Sequence, residues 1–304
     1  MIKLSYINSD DRKYNIQRCL SLIKSEVIAG LKNARSVVIK PNCVTGNNQL
    51  AATHADALDA VLAFIRPHIK GQVILAEGSG IGHTLENFKN YDYLKLQDRY
   101  DLEIVDLNTD EGTEIELVNK KGGAVTAQIA KTIANSDCVI SVCPPKTHDC
   151  VVYTGSIKNV TVGALLRPYS QASRLRPLGR LLKKINYKTL IHEGNRAINE
   201  NIFRIFKHVN IGLTIIDGFE TMEGKGPLDG EMVPTHFALA STNPIAADWL
   251  ASQCLGIKTG DIGYLSMVEA DKNSLGYFVV GDDWKQNITD IKMHPNFETI
   301  RHWQ

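Results

Sequence analysis

The chain has 304 residues, 43% of them hydrophobic and 22% charged, with a formal net charge of +1. These values suit a soluble globular protein with a large core, and the balanced charge excludes whole-surface attraction to nucleic acid or membrane. The start, "MIKLSYINSDDRKYN", lacks an apolar core of signal-peptide length, and no run reaches the roughly eighteen apolar residues of a bilayer span. A cytoplasmic protein with no transmembrane segment is therefore expected. Six cysteines (Cys19, Cys43, Cys138, Cys143, Cys150, Cys254) form no C-x-x-C pair, which favours free thiols in a reducing compartment.

Apolar, β-rich runs recur along the chain: "SVVIK" (36–40), "QVILAE" (72–77), "CVISVC" (138–143), "IGLTIID" (211–217) and "HFALAS" (236–241). Continuous rather than alternating apolarity predicts strands buried on both faces, the habit of parallel sheets. Between them, "THADALDAVLAFIRPHI" (53–69) predicts a helix capped by Thr53, with Ala57, Val61 and Phe64 or Ile65 on one face. "NRAINENIFRIFKHV" (195–209) and "PIAADWLASQCLG" (244–256), the latter with Pro244 at its start, predict two more. The alternation predicts an α/β fold: an open, mostly parallel, doubly wound sheet with helices on both faces, in one domain spanning 1–304.

A basic excursion (167–192) interrupts this pattern. "RPYSQASRLRPLGRLLKKINYK" (167–188) holds seven Lys or Arg and no acid, and Leu178, Leu181, Leu182 and Ile185 fall at helical spacing. It reads as a solvated helix resting one face on the core, as a lid or clamp for an anionic ligand, or as a contact for a partner or membrane.

In open α/β sheets, ligands bind outside the carboxyl ends of the strands. Here those ends carry Lys40 with Asn42, then Glu77, then Lys146 with His148, then Asp217, then Asn243 with Asp248 just beyond. All five are expected on one edge. "GSGIGHT" (78–84) places Gly78 and Gly80 where backbone N–H groups cradle a phosphate or carboxylate, before a helix capped by Thr84; a plain tight turn is the competing role. "GKGPLDG" (224–230) reads either as a plain surface turn or as a loop from which Lys225 reaches a ligand anion. Neither is a full dinucleotide or P-loop fingerprint.

"PPKTHDCVVYTGSIKN" (144–159) is the densest chemical strip. Pro144 and Pro145 take the chain out of the sheet, and if 146–150 is extended then Lys146, His148 and Cys150 share a face. A lysine beside a histidine suits binding and protonating an oxyanion, and neighbouring cations lower a lysine's pKa toward acid–base use. Lys158 and Asn159 extend the set. Two metal arrangements compete: a thiolate site for zinc or an iron–sulfur cluster from Cys43, Cys143 and Cys150 with His148, and a divalent-metal site from Glu77, His148, Asp217 and Asp248. No G-x-S-x-G or H-E-x-x-H signature occurs, and a Schiff-base role for Lys146 or Lys158 requires a carbonyl substrate.

Taken together, "VVIKPN" (37–42), "LAEGSG" (75–80), "PPKTH" (144–148), "SIKN" (156–159), "IIDGFETMEGKGP" (215–227) and "STNPIAADWLASQCLG" (241–256) resemble the domain of unknown function 362 family, in order and over most of the chain. The resemblance implies motif residues at Lys40, Asn42, Glu77, Lys146, His148, Lys158, Asn159, Asp217 and Asp248. Some relatives carry an attached ferredoxin-like iron–sulfur module, which hints at redox chemistry in those members; no such cysteine cluster occurs at either end here.

The expected function is an enzyme for a small anionic metabolite, a carboxylate or phosphate. Lys40, Lys146 and Lys158 would bind the anion, His148 would move protons, and Glu77 or Asp248 would orient His148 or a metal. The alternative is a metal- or iron–sulfur-binding redox or carrier protein built on Cys43, Cys143 and Cys150, and a third option is an interaction module docking through 167–188. A divalent metal is the first cofactor candidate and an iron–sulfur cluster the second. A homo-oligomer is compatible with all three.

Overall fold

The continuous apolar runs become strands because helices cover both of their faces. Val38, Ala76, Val139 and Ile216 pack into one core cluster, while their strand neighbours Val37, Leu75, Ile140 and Ile215 pack into a second on the opposite face. The computed structural model describes residues 1–167, 186–192, 194–272 and 276–304. Its strands are β1 (Ile2–Asn8), β2 (Ser36–Pro41), β3 (Gln72–Glu77), β4 (Leu102–Asp106), β5 (Gly112–Val118), β6 (Ala124–Ala130), β7 (Cys138–Cys143), β8 (Lys146–His148), β9 (Val152–Thr154), β10 (Ile211–Glu223), β11 (Glu231–Ser241) and β12 (Tyr277–Gly281). Its helices are α1 (Arg12–Leu22), α2 (Lys24–Leu31), α3 (Ala55–Ile65), α4 (Thr84–Asn90), α5 (Lys95–Tyr100), α6 (Lys131–Ala134), α7 (Ser156–Ala164), α8 (Tyr187–Leu190), α9 (Asn195–Phe206), α10 (Pro244–Cys254), α11 (Gly263–Lys272) and α12 (Phe297–Ile300). None of the described helices is long and apolar enough to cross a membrane.

The large sheet runs β12-β1-β11-β10-β7-β2-β3-β4, with the β8–β9 hairpin attached beside β10; β5 and β6 form a separate hairpin. The block β10-β7-β2-β3-β4 is parallel throughout. Its chain order steps outward from β2 to β3 and β4, then returns to the other side of β2 as β7 and continues to β10. The connections therefore reverse direction between β2 and β7, the place where such sheets open a crevice for ligands. Helices α1 and α3 cover one face through Ile16, Leu20, Leu58 and Val61, and α7, α9 and α10 cover the other through Ile157, Val160, Ile198, Ile202 and Leu250.

One expectation about direction fails. β11 is antiparallel to both β10 and β1, so the end of "HFALAS" points to the opposite edge from Lys40, Glu77 and Lys146. Only seven residues, 224–230, join β10 to β11, which is too short for the crossover a parallel pair needs.

Helix starts are also redistributed. α3 begins at Ala55, with the His54 ring accepting the Asp56 N–H (3.1 Å). Thr53 instead accepts the Asn42 N–H (2.8 Å) and donates to the Val142 carbonyl (2.7 Å), stitching β2 to β7. Thr84 opens α4 without capping it and accepts the Ser79 N–H (3.1 Å), so it holds the glycine loop. α10 starts as its sequence requires, with Pro244 in the first turn and Asn243 accepting the Ala246 N–H (2.9 Å). The basic stretch from 168 to 185, with its amphipathic spacing, lies outside the described residues.

Candidate functional site

The carboxyl ends of β2 and β3, the β8 hairpin and the first turn of α7 meet beside the β2/β7 reversal. Lys40 is the hub. Its ammonium is ion-paired with Glu77 and also donates to the Pro41 carbonyl (2.9 Å) and to Asn159 Oδ1 (3.3 Å). Asn159 Nδ2 donates to the Lys40 carbonyl (3.2 Å) and to Ser141 Oγ (3.0 Å), and its Oδ1 also accepts from Asn42 Nδ2 (3.3 Å). Asn42 in turn accepts a hydrogen bond from Lys146. This buried network joins β2, β3, β7, β8 and α7; the Lys40 ammonium and the Asn159 amide spend all their donors within it, whereas Lys146 enters it through one bond. α7 can lie over the Lys40 ammonium only because residue 163 is glycine: a Cβ there would strike the end of the Lys40 side chain.

Above the network lies a cavity of about 150 Å3, bounded by Lys146, His148, Lys158, Lys188, His192 and Pro227, with Gly78 and Gly80 along one wall. Three of its lysines have no carboxylate partner among the described residues. Lys146 donates to Asn42; Lys188 donates to the carbonyls of Gly78 and Gly163 (3.2 Å to the latter); the Lys158 ammonium has no hydrogen bond or ion pair among the described residues. Burial pulls Lys146 down to about 7, Lys188 to about 7 and Lys158 to about 8. Lys158 and Lys40 push Lys146 the same way, against Cys143 and Glu77. A cavity lined by cations that burial has already destabilised favours an anion strongly, because the ligand supplies the missing countercharge.

His148 is 3% exposed, and burial, aided by the Lys158 ammonium, pushes it down to about 3, so the ring is neutral near pH 7. Its Nδ1 lies 2.9 Å from Asp149 Oδ1 and 3.0 Å from the Cys150 N–H. The two contacts need opposite protonation: the carboxylate accepts an Nδ1–H, whereas the amide needs the Nδ1 lone pair. With its proton on Nδ1, facing Asp149, the ring leaves Nε2 free as a base; with its proton on Nε2, it becomes a donor. The His192 ring stacks on His148 at 6.2 Å between centroids, and burial lowers it to about 4.

Several residues expected at the site lie elsewhere. Lys225 is exposed, and its loop reaches the cavity through Pro227 instead. Asp217 is displaced by strand alternation: it shares the face of Ile215, opposite Lys40, where Arg12 of α1 pairs with it (3.2 Å) and with Glu220 (2.6 Å). Asp248 follows the antiparallel strand into α10 and accepts the backbone N–H groups of Ser156 (2.6 Å) and Ile157 (3.0 Å), capping α7 from another helix. Burial pushes its carboxyl up to about 7. A divalent-metal set drawn from Glu77, His148, Asp217 and Asp248 is therefore not assembled, and Glu77 is committed to Lys40.

The thiolate set is not assembled either. Cys43 packs in one core cluster and Cys143 in the other, while Cys150 follows β8 in a turn rather than extending its face. Burial raises all three thiols to about 12, so each keeps its proton. Among the described residues the ligand-type cluster is His148, Asp149 and Cys150, whose donor atoms lie within 4.8 Å of one another. A metal there would compete with the Cys150 amide for the Nδ1 lone pair.

Sequence reasoning reached Lys40, Asn42, Glu77, Gly78, Gly80, Lys146, His148, Lys158 and Asn159, all of which the structure brings together. It missed Lys188 and His192, at the end of the basic stretch, and Asp149 beside His148. The run of seven Lys or Arg without an acid in 167–188 was the available signal for Lys188; His192 had none.

Three comparisons relate the chain to known proteins. It is 22% identical over 244 residues to a thylakoid-associated protein of Synechocystis sp., covering 79% of this chain and 68% of that protein. The lactate racemase apoprotein from Thermoanaerobacterium thermosaccharolyticum aligns with a TM-score of 0.45 and 15% identity, over 79% of this chain and 54% of that one. The family model described as a domain of unknown function (DUF362) matches residues 37–253, which include every lysine of the cavity. The chain belongs to the DUF362 family.

Proposed function

We propose that the protein is an enzyme acting on a small anionic metabolite, a carboxylate or a phosphate, bound in the cavity at the carboxyl edge of the sheet. One observation carries the proposal: Lys146, Lys158 and Lys188 line a single small cavity while its one buried carboxylate, Glu77, is already taken by Lys40. Burying three such groups without acids is costly, and a structure retains that cost where a ligand relieves it. A cavity of about 150 Å3 has room for roughly five water volumes, which limits the ligand to a small acid or an inorganic anion.

In this reading Lys146 and Lys188 hold the anion, Lys40 and Asn159 keep the framework rigid, and neutral His148 moves protons through Nε2 while Asp149 orients Nδ1. The ring is 3% exposed and uncharged at neutral pH, so it keeps one lone pair and one N–H with which to relay a proton to or from a bound acid. Any metal assistance would use His148 and Asp149.

Thermal-shift measurements with acetate, propionate and inorganic phosphate test the proposal. A ligand at 100 times its Kd stabilises the fold by about 2.7 kcal/mol. Stabilisation of the wild type that is largely lost in Lys146→Ala and Lys188→Ala is the expected result. Equal responses in wild type and variants, or no response to any anion, would refute it.

A further inference from the structure

Lys158 differs from the other cavity lysines in having nothing to hold. Lys40 is ion-paired, Lys146 donates to Asn42, and Lys188 donates to two carbonyls, whereas Lys158 is 7% exposed and unpartnered among the described residues. It occupies the first turn of α7, where the positive end of the helix dipole opposes its charge. Burial brings it to about 8, so an appreciable fraction is free amine near neutrality. Desolvation is one of the usual ways a lysine becomes nucleophilic, and here it outweighs the opposing pull of Cys150 and Asp149. Among the described residues no hydrogen bond occupies its lone pair once it is deprotonated. Its neighbours fit this role: His148 is close enough to feel its charge, and Lys146 and Lys188 face the same cavity.

We propose that Lys158 forms a Schiff base with a small carbonyl compound that also carries a carboxylate, a 2-oxo acid being the simplest, with that carboxylate held by Lys146 and Lys188. The proposal rests on the anion-site reading above and names its substrate class. The Lys158 nitrogen attacks the carbonyl carbon; a C–N bond forms as the C=O π pair moves onto oxygen. His148 Nε2 takes a proton from nitrogen and returns it to that oxygen, giving the carbinolamine. A second proton follows the same route, the C–O bond breaks, and the nitrogen lone pair closes the C=N bond. Both amine protons leave with the carbonyl oxygen as one water molecule, and no oxidant or reductant is consumed.

Borohydride trapping tests this directly, because it reduces the imine to a stable secondary amine. The full chain is incubated with pyruvate and borohydride, digested, and mapped by mass spectrometry. The expected result is an adduct on Lys158 at about tenfold or more the occupancy of exposed Lys225 in the same digest. Lys158→Arg, which keeps the cation, should abolish it. Thermal shift with propionate, which has the carboxylate but no ketone, reads the anion site separately. An adduct on Lys146 or Lys188 instead, or spread evenly over surface lysines, overturns the assignment to Lys158. No adduct with propionate stabilisation intact overturns covalent capture and leaves the anion site standing. Neither adduct nor stabilisation overturns both.

Discussion

Asp248 accepts the backbone N–H of Ser156 at 2.6 Å, so a carboxylate from α10 supplies the cap that α7 does not find in its own sequence, since Gly155 has no side chain to offer. The same carboxylate takes the Ile157 N–H, and both bonds sit at the turn that carries Lys158 and Asn159. Asp248 therefore positions the cavity lysine without touching the cavity. Asp248→Ala would leave two buried donors unsatisfied and is expected to cost about 2–4 kcal/mol in urea denaturation. Its pH signature follows from its raised pKa of about 7, which burial causes. The folded chain holds this proton to higher pH than the unfolded chain, so the group's contribution to stability falls as pH rises from about 4 to about 7 and is flat above. In Asp248→Asn that slope disappears. An unchanged wild-type-to-variant difference at pH 4.5 and pH 7.5 would show that Asp248 does not titrate in this window.

Lys158 predicts the opposite pH trend. Folding lowers its pKa to about 8, against about 10.4 in the unfolded chain, so the unfolded state binds more protons between those values. Stability then rises with pH across that window, and the penalty is greatest below it. Because Lys158 has no bond to orphan, Lys158→Met should stabilise the ligand-free fold by about 1–3 kcal/mol at pH 7, an advantage that shrinks toward pH 10. Anion affinity should fall through pH 7 to 8 as Lys146, Lys188 and Lys158 lose their protons. A destabilised Lys158→Met at pH 7, or anion affinity that rises with pH, would contradict the charge assignment.

Lys40, Glu77, Lys146 and His148 were legible because the carboxyl-edge rule needs only the ends of parallel strands, and buried parallel strands announce themselves as unbroken apolar runs. Asp217 and Asp248 were misplaced for two separate reasons. Strand alternation sent Asp217 to the Arg12 face, one residue out of phase with Ile216. The rule was then extended to "HFALAS" although the chain between β10 and β11 cannot make a parallel crossover; true strand ends at Glu223 and Glu231 would have revealed a hairpin. The helix at 156–164 was harder to foresee, since Val160, Thr161 and Val162 favour strands and the segment owes its cap to a residue 92 positions away.

Gly163 tests how tightly the network is built. A Cβ at this position meets the Lys40 methylene and ammonium, and Lys40 cannot swing aside while it is bound to Glu77, Pro41 and Asn159. Gly163→Ala would otherwise favour the helix, but overpacking against a fixed side chain is expected to dominate and cost about 1–3 kcal/mol. The same displacement would move α7 off the cavity, weakening anion binding in parallel with stability. A variant as stable as wild type, with anion binding intact, would show that α7 has slack over Lys40.

Arg12 separates the two faces of the sheet. It bridges Asp217 and Glu220 on the face opposite the cavity, and Asp217 is almost fully buried with its carboxyl raised by that burial against the pull of Arg12. Arg12→Ala leaves Asp217 buried without its countercharge, which is expected to cost about 3–5 kcal/mol when one partner of a buried pair is removed. Raising the pH should aggravate the loss, since the isolated carboxyl is tolerated only when protonated. The anions that stabilise the wild type should raise the melting temperature of Arg12→Ala by a similar increment, because none of its contacts reaches Lys146, Lys158 or Lys188. Selective loss of the anion response in Arg12→Ala would place the working site on the Asp217 face and reverse the assignment.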